Sequence, residues 1–238
     1  MGDNHRRAGQ FGLAASIALV LSSGLLAHAA APASETKAIL DRLDAASAKF
    51  HSTSADVEFD TIETDPVYDK DVQTGQVYYD RKGSAFKMGV HFTQHNGKPS
   101  AKVYTYSDGL LKIFEPSVDQ VTTVAKARQW EKYVMLGFGA SGKELSDQWT
   151  IKDLGPEKMG GVNTEKLELV AKDPEVRKNL TMVTIWIDPD RAVSLKQILD
   201  FTSSISRVST YSNIKVNESL PSDAFTFKTD KKTQYRNE

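Results

Sequence analysis

The sequence contains no cysteine in its 238 residues. This absence excludes disulfide bonds, thiol catalysis and cysteine-ligated metal centres, so packing and backbone hydrogen bonds alone must hold the fold together. An excess of positive charge is also lacking, because 30 basic residues face 31 acidic ones. That balance argues against nucleic acid as a partner. Long apolar runs are absent as well, apart from a single one near the N-terminus.

That apolar run predicts an export signal. Arg6 and Arg7 precede it, it extends from Phe11 to Ala27, and Ala27 to Ala29 form an A-x-A cleavage site. An uncleaved membrane anchor is the alternative, but the run of about 17 residues is short for a bilayer span, which needs about 20. We therefore predict a signal peptide over residues 1–29, cleaved near Ala29.

The mature chain, residues 30–238, is predicted to be one domain. Its length suits a single hydrophobic core, and no linker-like stretch divides it. The residues after the cleavage site begin Ala30, Ala31, Pro32, so no cysteine is present there to carry a lipid anchor. We expect an exported, unlipidated monomer.

Hydrophobic periodicity predicts one helix followed by many strands. Apolar residues recur at helical spacing from Ile39 to Phe50, after a possible helix start at Ser34. From Val57 onward the apolar positions alternate with polar ones, and Asn96-Gly97 and Asp108-Gly109 are hairpin signals. About ten or eleven strands follow from this pattern. Such a sheet should curve towards a barrel.

The segment between Ala127 and Gln148 interrupts the strand pattern. It is rich in large apolar residues and glycine, and Ser141 with Glu144 forms an S-x-x-E capping box that predicts a helix start. So apolar a segment must cover another surface, and we expect it to lie over the concave face of the sheet. It either closes a ligand cavity or fills an ordinary core.

Motifs for catalysis or cofactor binding are weak. Gly137, Gly139 and Gly142 match G-x-G-x-x-G, but the βαβ context of a dinucleotide site is missing. His91 and His95 are four residues apart, a spacing that brings two rings together only on a helix. We predict no cofactor, no metal site and no enzymatic activity.

Several motifs, taken in order, resemble the LolA-type periplasmic carriers of outer-membrane lipoproteins. The family's D-G-x-x-x-W-x-Y-x-P-x-x-x-Q-V pattern is similar to one stretch of this chain, made of Ser107 to Gly109, the strand Leu110 to Phe114, Pro116 and Val118 to Val121. Lys112 or Ile113 stands where that pattern has an aromatic residue.

Two further segments carry the same resemblance. Gly75 to Arg81 is similar to the family's G-x-L-x-x-x-R-P element, with Lys82 in place of the proline. Asn217 to Pro221 and Phe225 to Phe227 resemble its ending, in which a loop leads into an F-x-F strand. In all, the resemblance extends over about residues 39–227.

The resemblance implies a mainly β fold: an unclosed antiparallel barrel of about eleven strands, with an N-terminal helix and a helical lid over an apolar cavity. It also implies a function, the transfer of lipoprotein acyl chains through the periplasm. The partners would be an inner-membrane ABC transporter of the LolCDE type and an outer-membrane acceptor of the LolB type. A carrier of other lipids or glycolipids, or an envelope lipid sensor, is an alternative on the same fold.

The resemblance also suggests site residues. Arg81 corresponds to an arginine that latches the lid in the family. The predicted acyl-chain contacts are apolar residues of the sheet wall and the lid: Val57, Phe59, Phe86, Met88, Val90, Trp130, Val134, Met135, Leu136 and Phe138.

Overall fold

The computed structural model describes residues 32–83, 85–125, 127 and 136–238. The predicted signal peptide and three of the predicted lid contacts, Trp130, Val134 and Met135, lie outside these ranges. Within the described residues, no helix is both long and apolar enough to span a bilayer.

The described residues form one twelve-stranded sheet. Its strands are β1 (Ser52–Glu63), β2 (Asp69–Lys82), β3 (Ala85–His95), β4 (Lys98–Ser107), β5 (Leu110–Glu115), β6 (Gln120–Val124), β7 (Trp149–Met159), β8 (Val162–Ala171), β9 (Leu180–Asp188), β10 (Val193–Phe201), β11 (Ile205–Val216) and β12 (Gln234–Asn237).

The sheet is unclosed. Its strand order is β12-β6-β5-β4-β3-β2-β1-β11-β10-β9-β8-β7, so β12 and β7 are its two edges. Neighbouring strands are antiparallel, except that β12 pairs in parallel with β6. The predicted fold class, a mainly β unclosed antiparallel barrel with an N-terminal helix, is confirmed. The twelfth strand was not predicted, because Gln234–Asn237 is short, exposed and without apolar alternation.

The sequence prediction was wrong for Phe225 to Phe227, which form no strand. The chain there crosses the outer face of the sheet, where Phe227 stacks on Phe114 of β5 with ring centroids 5.1 Å apart. Gly89 of β3 permits this crossing, because a Cβ at that position would lie 1.8 Å from the Ala224 carbonyl oxygen. The segment is therefore attached to the outer face of the sheet by side-chain contact and not by strand pairing.

Helices cover part of the opposite, inner face. Helix α1 (Pro32–Ser47) begins two residues before the predicted Ser34, with proline in its first turn. Helix α2 (Gly142–Gln148) begins after the predicted capping box of Ser141 and Glu144, which is present in full. A short helix α3 (Pro174–Arg177) and a 3-10 turn (Pro116–Val118) lie in connections.

Helix α1 is held on the sheet by apolar packing and by Arg42. Ile39 and Leu43 are buried, and the Arg42 guanidinium makes two hydrogen bonds to the Asp190 carboxylate, at 2.9 and 2.7 Å. Hydrogen bonding and charge from Asp190 raise the pKa of Arg42, and the same contact lowers the pKa of Asp190. The helix therefore packs against β7 and α2, and Arg42 joins it to the turn between β9 and β10.

The inner face carries two hydrophobic clusters. The first, here called the helical cluster, joins α1 and α2 to strands β7 to β10: Ile39, Leu43, Leu136, Ala140, Leu145, Trp149, Leu167, Leu169, Ala171, Leu180, Val183, Ile185, Ile187 and Ala192. The second, the aromatic cluster, lies mainly on β1 to β4: Phe50, Ala55, Val57, Val77, Tyr79, Phe86, Met88, Phe92, Tyr106, Ala127, Phe138, Val193 and Tyr211.

Candidate functional site

A seam segment, Leu136 to Ala140, runs between the two clusters. Its backbone is hydrogen-bonded to the start of β10: the Gly139 amide donates to the Ala192 carbonyl at 2.8 Å, and the Ser194 amide donates to the Gly137 carbonyl at 2.7 Å. The buried Gln197 side chain adds a bond to the Leu136 carbonyl. This end of the predicted lid is therefore fixed to the sheet by backbone pairing.

Two glycines make the seam segment possible. Gly137 and Gly139 have φ values of +80° and +70°, a region that other residues enter only at a cost. A Cβ on Gly139 would also lie 2.4 Å from the Phe50 ring, and one on Gly137 would lie 2.1 Å from the Ser194 hydroxyl. The glycines that the sequence presents as G-x-G serve close packing here.

Phe138, which is fully buried, carries the seam segment into the aromatic cluster. Its ring stacks on Tyr79 at 4.2 Å between centroids and meets Tyr211 edge-on at 4.8 Å. Burial raises the pKa of Tyr79 well above its ordinary value. Both phenols therefore stay neutral and serve the packing.

The structure brings most of the described predicted contacts together. Phe86, Met88, Val57 and Phe138 belong to the aromatic cluster, and Phe59 and Val90 pack against it. Leu136 belongs to the helical cluster instead, because the chain passes from one cluster to the other within the seam segment. Their contact with acyl chains stays a prediction.

The aromatic cluster has an incompletely covered margin. Six apolar side chains that pack against it are only partly buried: Phe59, Val90, Tyr104, Leu111, Ile214 and Val216. Phe59 and Tyr104 both contact Phe92, with centroids 6.2 and 5.8 Å away. We call these six residues the apolar margin.

Arg81, the predicted latch, lies at the end of β2 beside the seam segment. Its Nη1 donates to the Gly139 carbonyl, its Nη2 lies 2.8 Å from a Glu144 oxygen, and its Nε donates to the Gly83 carbonyl at 3.3 Å. The Ser47 hydroxyl of α1 donates to the same Gly139 carbonyl, at 2.7 Å. One guanidinium thus connects β2, the seam segment and α2. Its role in opening stays a prediction.

Glu144 is the partner that sequence reasoning missed. Its capping-box pattern was recognised, but nothing in that pattern indicates that one carboxylate oxygen binds the Ser141 amide at 2.8 Å while the other binds Arg81. Burial alone would raise the pKa of Glu144, but the hydrogen bonds from Ser141 and Arg81 outweigh it, and the pKa is lowered. The carboxylate is therefore ionised at neutral pH.

A polar cleft of about 860 Å³ on the outer face was also not predicted. Its lining includes carboxylates, hydroxyls and two aromatic rings: Asp56, Glu58, Thr74, Gln76, Tyr78, His91, Thr93, Thr210, Ser212 and Asp223. Asp56 is already bonded to the Asn213 amide at 2.6 Å. The cleft lies across the sheet from the aromatic cluster, and three carboxylates, of Asp56, Glu58 and Asp223, line it.

Comparisons with known proteins show the fold. No protein-family model matches the chain, and no curated protein matches it. Among solved structures, MucB aligns over 85% of this chain with 12% identity and a TM-score of 0.52. An uncharacterised conserved protein from Thermus thermophilus aligns over 86% of this chain and 99% of its own, with 10% identity and a TM-score of 0.52.

The alignments differ in how much of the other protein they cover. This chain spans 66% of the MucB chain. A LolA superfamily protein from Nitrosomonas europaea is also among the similar structures, with 18% identity, a TM-score of 0.38, and coverage of 81% of this chain and 97% of its own. The unclosed sheet with helices on its inner face is thus a fold this chain shares with MucB and the Thermus thermophilus protein.

Proposed function

We propose that this protein is a periplasmic carrier that binds the acyl chains of lipoproteins against the aromatic cluster and moves them from the inner to the outer membrane. The apolar margin is the observation that carries the proposal. Six partly buried apolar residues around the aromatic cluster, two of them aromatic, leave apolar surface that a hydrocarbon chain can cover and leave again.

Acyl chains supply a large driving force for such binding. Each methylene removed from water contributes about 0.8 kcal/mol, so a chain of about 16 carbons gains about 12 kcal/mol before entropic costs. The aromatic rings and the flexible Met88 side chain of the cluster can repack around a chain of variable shape. Hand-over would proceed from an inner-membrane ABC transporter to an outer-membrane acceptor, without covalent chemistry.

Val90→Trp tests where the ligand lies. Val90 is part of the apolar margin, and a tryptophan there would occupy space needed by the alkyl chain. We expect weaker binding of a fluorescent fatty-acid probe by about tenfold, the order expected when about 1.4 kcal/mol of contact is lost. Ile198→Trp is the matched control, because Ile198 is a partly buried residue on the outer face of β10. It should leave binding unchanged, and thermal unfolding should show both variants folded.

The native cargo can be identified directly. Protein purified from its own envelope should release acyl-chain lipid or lipoprotein on solvent extraction, detected by mass spectrometry. Glycolipid or free lipid as the sole cargo would favour the alternative carrier function. A consistently empty protein that takes up no probe would refute the carrier function, and the lipid-sensor alternative would fall with it.

A further inference from the structure

A second, smaller pocket lies beside Arg81. It has a volume of about 370 Å³ and lies between the end of α1 and the turn after β2, lined by Ser47, Ala48, Phe50, His51, Arg81, Lys82 and Gly83. Two of these side chains are cationic, one is an imidazole, and no carboxylate is among them. We call it the latch pocket.

Arg81 has hydrogen-bonding capacity to spare in this pocket. A guanidinium has five N–H donors, and three contacts are made within the described residues, to Gly83, Gly139 and Glu144. The Arg81 side chain is only 17% exposed. Because it lines the latch pocket, a further hydrogen-bond acceptor can reach it through that pocket. Two N–H groups remain for that acceptor.

Lys82 adds a charge at the same place. It follows Arg81 directly, at the position where the LolA-type pattern has proline, and it makes no ion pair with any described residue. Two carboxylates near the pocket are already bonded: Glu144 binds Arg81, and Asp44 accepts from the Lys143 amide at 3.0 Å. A lysine that lines the same pocket as a fork-shaped donor is a chemical match for a phosphate oxyanion.

We infer that the latch pocket binds a phosphate group, and that this binding loosens the contact between Arg81 and Glu144. The incoming oxyanion shares the positive charge of the guanidinium with the Glu144 carboxylate and repels that carboxylate, so occupation of the pocket weakens the tie between β2 and α2. The coupling is reciprocal, so breaking the contact between Arg81 and Glu144 strengthens phosphate binding by the same factor by which phosphate weakens that contact. A lipid headgroup at a membrane surface would then promote release of the cargo at that surface. This regulation rests on the proposed carrier function.

Binding is tested with inorganic phosphate and the mature protein by isothermal titration calorimetry. Lys82→Gln should weaken phosphate binding by about fivefold, the order expected for one charge removed a few ångströms from the anion near the surface. Lys98→Gln is the matched control, since Lys98 is an exposed lysine at the start of β4, remote in the sequence from the pocket. Absence of saturable binding, or equal losses in both variants, would overturn the assignment.

Hydrogen exchange tests the coupling to the latch. Phosphate should speed amide exchange in the peptide that covers Gly139 to Leu145 in the wild type, and should do so much less in Lys82→Gln. Vesicles distinguish a lipid headgroup from free phosphate as the ligand. The same exchange is measured with vesicles of phosphatidylcholine and phosphatidylglycerol and with vesicles of phosphatidylcholine alone. Faster exchange with the anionic vesicles identifies a headgroup, and faster exchange with inorganic phosphate but not with these vesicles identifies a free anion. Binding without any change in exchange would overturn the coupling.

The outcome is separable from that of the carrier proposal. Fatty-acid probe uptake requires neither Lys82 nor phosphate. If the protein binds phosphate as described but takes up no acyl chain, the phosphate site stands and the carrier function is refuted. If it takes up acyl chains but binds no phosphate, only the phosphate site is refuted.

Discussion

The helical and aromatic clusters share one sheet but are built differently. The helical cluster is mostly aliphatic, and five of its sheet residues, Leu167, Leu169, Val183, Ile185 and Ile187, have no exposed surface. The aromatic cluster contains seven aromatic residues, and two of its members, Phe138 and Val193, have no exposed surface. Each cluster also has six partly buried apolar neighbours. A close-packed interior has little room to rearrange, so the helical cluster stabilises the domain, and the more exposed aromatic cluster is where we propose that acyl chains bind.

The largest expected effect is in the helical cluster. Leu167→Ala should lower the free energy of unfolding by about 4 kcal/mol, because a fully enclosed leucine leaves a cavity. Leu111→Ala, the matched change in the apolar margin, should cost only about 1 kcal/mol, since its side chain is already partly solvated. Urea unfolding of both variants measures the difference. Equal losses would mean that the two clusters are equally rigid, and the contrast drawn above would fail.

The seam segment between the clusters gives the next largest effect. Gly139→Ala should destabilise the protein by about 3 kcal/mol, from its left-handed backbone and from the clash with Phe50. Gly83→Ala is the matched control, because Gly83 has a φ of +61° but no atom of the described residues lies within 4 Å of a Cβ there. It should cost about 1 kcal/mol. If Gly139→Ala loses no more stability than Gly83→Ala, the seam segment can shift to make room for the added methyl group.

Sequence reasoning predicted the architecture because the relevant signals are local. Alternation along β1 and β3, the hairpin turns and the capping box at Ser141 each depend on a few adjacent residues. The pairing of Arg81 with Glu144 joins residues 63 positions apart, and no local pattern specifies it. The resemblance to LolA-type carriers drew attention to the arginine but not to its partner.

Burial of single side chains was harder to predict. The resemblance to LolA-type carriers grouped Leu136 with the other lid contacts, yet it lies in the helical cluster, because the seam segment crosses between the clusters within a few residues. Phe225 to Phe227 alternate like a strand, but they form none, and Phe227 stacks on Phe114 instead. Such outcomes depend on which distant surface is free, and a linear pattern does not contain that information.

The smallest expected effect concerns the tie across the seam. A double-mutant cycle of Arg81→Leu and Glu144→Gln should give a coupling of about 1 kcal/mol, modest because the Glu144 side chain is 43% exposed and solvent screens the pair. If the pair is a latch, Arg81→Leu should release a bound fatty-acid probe to acceptor vesicles about fivefold faster, the rate equivalent of that coupling, with its fold intact by circular dichroism.

Lys37→Leu is the control for the loss of a surface cation, since Lys37 forms an exposed pair with Asp41 on α1. It should leave release unchanged. A measurable Arg81–Glu144 coupling with unaltered release would show that the guanidinium stabilises the junction of β2, the seam segment and α2 without controlling it. The aromatic cluster would then have to exchange its occupant by repacking at the apolar margin alone, which would make its contrast with the helical cluster sharper still.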